Sequence, residues 1–150
     1  MVSVQLERGD TMTAKEYLGN IRRYDKQISR RLQRIQELNN MIGLTATDYS
    51  RDRVQTSPSN SGMTRIPEQI VDLEMEIAER LERKKKIIQQ IEDMSNTKHS
   101  EVLYAIYVNG SDFFQLQDEL NLSYFRVAHL HSSALADFAD KYDLANFSKD

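Results

Sequence analysis

At 150 residues the chain suits one domain, or a small domain with an appended helical arm. Charged residues make up 29% of it against 39% hydrophobic, the balance of long exposed helices, and five Gly, two Pro and no Trp leave little turn chemistry for an all-β fold. The net charge of −3 points to no partner class, and the absence of Cys excludes a disulfide framework and a thiolate zinc site. No apolar run approaches the ~20 residues that span a bilayer, and no secretion signal opens the sequence, so a cytoplasmic protein without membrane association is expected.

Met1 to Thr11 shows no period, and residues 1–12 are expected to be a disordered extension. Glu7-Arg8-Gly9-Asp10 can be encoded by a purine-rich string resembling a ribosome-binding site, which would make Met12 the natural start. Thr13 with Glu16 three residues on fits a capping box, in which side chain and backbone satisfy each other's orphan groups at a helix start. From there to about Leu44 the apolar residues follow a heptad. Ile21, Ile28, Ile35 and Ile42 take one seam position, Tyr17, Tyr24 and Leu38 the other, and Leu32 is expected to substitute for Arg31. Gly43 suits the end of this helix.

Residues 45–65 are dominated by Thr, Ser, Asn, Asp, Gly and Pro, and predict a mobile linker. Pro67 suits the first turn of a second helix, with Glu68 near its positive end. Ile70, Leu73, Ile77, Leu81, Ile87, Ile91 and Met94 form its seam, with Lys84 at a seam position, and the helix runs to about Ser95. Two helices of similar length joined by a loop predict an antiparallel coiled-coil-like hairpin over residues 13–95, open to doubling into a four-helix homodimer. Burying ~12 apolar side chains at ~1.5–3 kcal/mol each offsets the ordering entropy only if the helices pair.

Arg22, Lys26, Arg30 and Arg34 recur every fourth residue and form one basic stripe on the first helix. The second helix is acidic early (Glu68, Asp72, Glu74, Glu76, Glu79) and basic at Arg83-Lys-Lys-Lys86. This pattern fits salt bridges across the hairpin. The stripe is also a candidate surface for nucleic-acid phosphates.

Asn96-Thr97 caps a third helix, Lys98 to Val108, with Val102, Leu103, Ile106 and Tyr107 turned inward and Asn109-Gly110 ending it. Asp112 and Gln115 fit another capping box, and Leu116 and Leu120 share a face. Asn121 suits the left-handed residue that closes this short helix, Leu122 plugs the turn, and Ser123 is a strong N-cap for the next. Val127, Leu130, Ala134, Leu135 and Phe138 then form its buried face. The result is a three-helix module with a helix-turn-helix over residues 96–142, followed by a tail at 143–150 that is expected to fray. The fold class is all-α.

No constellation for a reaction is present, so neither an enzyme nor a cofactor is expected. His129 and His131 are two apart, which on a helix turns them to different faces and prevents a shared metal site; His99 stands alone near a helix start. No Gly-rich phosphate loop occurs.

Ser123, Val127, Ala134-Leu135 and Phe138 have the spacing of region 4 of sigma factors, and the stretch from Val102 through Gly110 to Phe138 resembles the end of phage late-transcription regulators of the ArpU and RinA type. Thr13-Ala-Lys-Glu-Tyr-Leu18 and Ile70-Val-Asp-Leu-Glu74 resemble an uncharacterised family common in streptococcal and related prophages. Gln117 departs from the small Ala usual in the pattern, and Asn121 from Gly. The resemblance implies a phage or prophage transcriptional regulator of late genes, whose helix from Ser123 enters the major groove of double-stranded DNA. On that reading Tyr124, Phe125, Arg126 and His129 meet base edges, Ser132 or Ser133 reaches phosphate, and the hairpin dimerises the protein or binds RNA polymerase.

Two other roles fit the same elements. One is DNA packaging, as in phage small terminase subunits. The other is a protein-interaction module that contacts a host or phage protein without DNA. From Thr97 to Asp150 four Lys and Arg face eight Asp and Glu, and a balance of −4 runs against phosphate binding.

Overall fold

The computed structural model describes residues 12–51 and 59–145, with side chains for residues 12–43 and 65–145. The fold is all-α: α1 spans Ala14–Arg51, α2 Ser59–Glu92, α3 Thr97–Leu103, α4 Phe113–Leu120 and α5 Tyr124–Lys141. The residues divide into two compact units. One takes the chain up to Arg23 and from Lys84 onward; the other is Tyr24–Arg83.

In the first unit, α1 begins with the capping box the sequence predicts. The Thr13 amide donates to Glu16 Oε1 and the Glu16 amide to Thr13 Oγ1, both at 3.1 Å. Ala14, Leu18 and Ile21 are buried, as are Ile87, Ile91 and Met94 of the returning chain. Ala14 continues the seam position of Ile21, whereas Leu18 lies one place past Tyr17, beside the seam, where α1 meets α5 as well as α2. The Tyr17 hydroxyl donates to Gln90 Oε1, and its ring lies 6.0 Å from that of Phe138.

The last turn of α2 leaves backbone carbonyls without helical partners. Side chains fill them: Ser100 Oγ donates to the Ile91 carbonyl at 2.9 Å, the Tyr142 hydroxyl to that of Gln90 at 2.9 Å, and Lys141 Nζ to that of Asp93 at 3.0 Å. Lys141 also places positive charge at the negative end of the helix.

Asn96 caps α3 as expected, accepting from the His99 amide at 3.1 Å. The α-helix does not reach Val108, however. From Tyr104 to Val108 it widens into a π-helical turn, with the Asn109 amide donating to the Tyr104 carbonyl, five residues back. His99 is not alone either: its Nδ1 lies 2.7 Å from Asp137 Oδ2 and ties α3 to α5. The expected frayed tail is held at its start. Thr13 and Ala145 form an isolated parallel bridge, in which the Ala14 amide donates to the Ala145 carbonyl at 3.1 Å. Residues 146–150 and 1–11 lie outside the described residues.

The second unit holds the antiparallel pairing of α1 and α2. Its register is fixed by a reciprocal clasp. Arg31 Nε donates to Glu76 Oε1 at 2.8 Å and its Nη1 to the Gln27 carbonyl; Arg80 Nε donates to Gln27 Oε1 at 2.8 Å and its Nη1 to the Glu76 carbonyl. Two seam assignments are thereby corrected. Leu32 and Leu81 do not enter the seam and are exposed, at 54% and 47%. Arg31 and Arg80 keep the strict heptad places, because their long stems lie along the seam while their heads reach the facing helix.

The linker expectation is also revised. Helix covers residues 45–51 and 59–65, and 52–58 lie outside the described residues. Gly43 does not end α1, since one Gly costs about 1 kcal/mol in a helix, too little to stop an otherwise continuous one. Pro67 falls inside α2 rather than in its first turn, giving up one backbone hydrogen bond. Among the described residues no helix is long and apolar enough to cross a membrane.

Candidate nucleic-acid interface

The helix-turn-helix is built by its caps. The Gln115 amide donates to Asp112 Oδ1 at 2.9 Å and the Asp112 amide to Gln115 Oε1 at 2.8 Å, the reciprocal box predicted for the start of α4. Asn121 takes the left-handed conformation at φ 58°, ψ 46°, and its amide returns to the Gln117 carbonyl. The Leu122 amide shares that carbonyl at 3.1 Å, so the whole turn hangs from one acceptor on α4. That acceptor is backbone, which is why Gln in place of a small residue at this position leaves the turn intact. Ser123 Oγ then accepts from the Arg126 amide at 3.1 Å and starts α5.

Below this turn Leu116, Val127, Ala134 and Phe138 are fully buried, and α3 packs across α5. Leu130 and Leu135 are half-buried at the edges of the same face, and Ala139 completes it. The opposite face of α5 carries the residues singled out from sequence. Ser123, Tyr124, Phe125, Arg126, His129 and Ser132 are exposed, and Ser133 is half-buried. Phe125, His129 and Ser132 lie opposite buried Val127, Tyr124 and Arg126 stand on the two flanks of the first turn, and Ser123 precedes the helix as its cap. The Ser123 hydroxyl is engaged as the cap and retains its proton and one lone pair for another partner.

Phe125 is the most open of these, at 78% exposure. Tyr124 is partly covered by the rings of Phe113 at 5.6 Å and Phe114 at 5.2 Å. Phe114 was not among the sequence candidates, yet it is 69% exposed beside Tyr124. A signal for it existed: an eight-residue helix that buries Leu116 cannot also bury two consecutive Phe.

Behind Phe113 lies His131, 5.3 Å away edge-on, and behind His131 lies Tyr107 of the π-helical turn, stacked at 5.7 Å. The Tyr107 hydroxyl and His131 Nε2 are hydrogen-bonded at 2.8 Å. Burial holds the His131 imidazole down to about 4, assisted by the positive charge of Lys15, and pushes the Tyr107 phenol up to about 12. Both are neutral at pH 7. His131 is thus a packing residue and His129 a surface one, on different faces as their spacing requires.

All four residues of the basic stripe are exposed, but they are divided between the units. Arg22 belongs to the first, with its guanidinium laid against Gly110, a residue at φ 78°. Lys26, Arg30 and Arg34 belong to the second, where Arg34 is paired with Glu37 at 3.2 Å. Among the described residues no group of three or more His, Asp or Glu is placed to hold a metal ion.

Residues 63–136 match the family model described as Protein of unknown function (DUF1492). The match runs from α2 through most of α5 and includes every residue of the outward face. No curated protein and no solved structure is significantly similar to the chain.

Proposed function

We infer that this protein is a DNA-binding transcriptional regulator that reads a site with the outward face of α5, in the manner of region 4 of sigma factors. The observation that carries this reading is the capped turn of Asp112, Gln115, Asn121 and Ser123, which presents the first turns of α5 with Tyr124, Phe125, Arg126 and His129 exposed together. A helix entering the major groove with its N-terminal residues at base edges needs this presentation. Arg126 is the residue for guanine, which it can address with two hydrogen bonds, and Phe125 suits a thymine methyl. Ser132 suits phosphate. The likeness to ArpU- and RinA-type regulators supports a phage or prophage late gene as the target.

The acidic balance of −4 after Thr97 and the open Phe114 and Phe125 favour a second reading, in which this face docks a host or phage protein, RNA polymerase among them. Fluorescence anisotropy with labelled promoter fragments from around the protein's own gene, repeated across a salt series, separates the two. A regulator prefers one fragment and loses affinity steeply with salt, with a slope that counts the phosphates engaged. Absence of binding at low salt refutes DNA recognition and leaves the protein-docking role.

A further inference from the structure

The start of α1 brings two cations to the edge of the helix-turn-helix. Leu18 is fully buried, and Lys15 and Arg22 stand three residues before it and four after. Both therefore project on the same side of Leu18, about 40–60° around the helix from it. Of the four residues in the basic stripe, only Arg22 belongs to the compact unit that holds α4 and α5; Lys15, outside the stripe, belongs there too.

Their surroundings place them more closely. The Arg22 guanidinium rests on Gly110, so near that a Cβ on that residue would overlap Nη2. Gly110 comes three residues before Phe113, the first residue of α4. The charge of Lys15 is felt at His131, which backs Phe113 at 5.3 Å, and Phe113 in turn meets Tyr124. Both cations thus border the beginning of α4, on the flank of α5 that carries Tyr124 and His131. Both are exposed, and among the described residues neither has an ion-pair partner. Glu16 beside Lys15 and Asp112 beside Gly110 do not neutralise them, since each accepts a backbone amide in a capping box. A guanidinium already laid in place loses less freedom on meeting an anion than one that swings in solvent.

We propose that Lys15 and Arg22 bind phosphates of the DNA backbone beside the site that α5 reads, which makes the start of α1 part of the nucleic-acid interface. The inference rests on the DNA-reading role of α5. When the second helix of a helix-turn-helix lies in the major groove, the first crosses the backbone. The two cations sit where that first helix begins. They position the protein without reading sequence, as phosphate contacts do. The segment from Thr97 onward has a balance of −4, and these are the positive charges that α1 adds at its edge.

The anisotropy salt series on the full chain tests the assignment with Lys15→Gln and Arg22→Gln, singly and together. Each change lowers the slope of log K against log salt by roughly 0.9 in magnitude, and the pair by roughly 1.8. The preferred and the unrelated fragments weaken by the same factor, so the preference that Arg126 supplies survives. Arg22→Lys keeps the parent slope, and so does Lys98→Gln, which removes an equal charge from the first turn of α3. Circular dichroism checks the fold; should Arg22→Gln lose helix, Lys15→Gln decides alone, because its side chain is exposed. A parental slope in the double variant, or an equal fall with Lys98→Gln, overturns the proposal and leaves α5 as a DNA reader. A wild type that binds no fragment at low salt overturns both.

Discussion

The Tyr107 hydroxyl and His131 Nε2 meet at 2.8 Å beneath the exposed aromatic rings of α4 and α5. Which of the two donates depends on the tautomer of the neutral imidazole. His131 is held from its ordinary 6.5 down to about 4, first by burial and then by Lys15. Between those values the unfolded chain binds the proton and the folded one does not, so stability rises with pH across that window. The slope from this group is at most about 1.4 kcal/mol per pH unit, before solvent screening reduces it. Urea titrations at pH 7 and pH 4.5 should show the loss on acidification, and His131→Gln should lose less. An equal loss in both would assign the acid sensitivity to the carboxylates.

Caps carry the turn, and their removal has a known scale. Ser123→Ala and Asp112→Ala should each cost about 0.5–2 kcal/mol, read as a shift in the urea midpoint without a change in slope. Ser123→Asp, which restores an acceptor, should recover most of the loss. A Ser123→Ala variant as stable as the parent would mean that α5 is held by its packing alone.

Phe138 and Leu32 are both large apolar residues at helical spacing, with opposite environments. Phe138 is fully buried and Leu32 is 54% exposed. Phe138→Ala should therefore cost about 3–5 kcal/mol and Leu32→Ala about 0.5 kcal/mol or less. Thermal denaturation followed by circular dichroism distinguishes them readily.

At the DNA face, Arg126→Ala should weaken binding of the preferred promoter fragment by roughly 1–3 kcal/mol, or about 5-fold to 150-fold, while the helical content is unchanged. Its effect on unrelated DNA should be much smaller, since one phosphate contact at most is lost. Unaltered anisotropy would remove Arg126 from the contact surface.

The Arg31–Glu76 and Arg80–Gln27 clasp sets register more than stability. Replacing Arg31 and Arg80 together with Leu should leave helix content and melting temperature equal or higher, because apolar seam residues avoid desolvating two guanidinium groups. Register should then loosen, which spin labels at facing positions of α1 and α2 would read as a broadened distance distribution. A sharp distribution identical to that of the parent would show that the apolar seam fixes register unaided.

Local chemistry was the readable part of this sequence. Asp112 with Gln115, Asn121 and Ser123 each announced a backbone conformation, and each adopts it, since capping depends on neighbours within four residues. The heptads foretold the pairing of α1 with α2. The features without a local signature depend on residues far apart. Nothing near Leu32 or Leu81 says that Arg31 and Arg80 will find Glu76 and Gln27 opposite them. His99 finds Asp137 and His131 finds Tyr107 across helices, and a π-helical turn at Tyr104–Val108 has no composition of its own. At the candidate site, the exposed α5 residues could be placed from periodicity, whereas Phe114 beside them needed the length of α4 to be known. The linker failed for a different reason: its Ser-, Thr- and Asn-rich composition disfavours helix only weakly, by a few tenths of a kcal/mol per residue.

The bridge between Thr13 and Ala145 sets an order of events during synthesis. Tyr17 lies against Phe138 and its hydroxyl against Gln90, so the beginning of α1 is closed by chain made much later. A ribosome adding about 5–20 residues per second must make all of α5 before that end of the first helix can be covered. Until then the side of α1 around Tyr17 that meets α5 is open to water and to other nascent chains. A nonsense codon ahead of Phe138 would therefore release a product whose first helix, although fully made, has lost its cover, and such fragments should be cleared by proteases rather than accumulate.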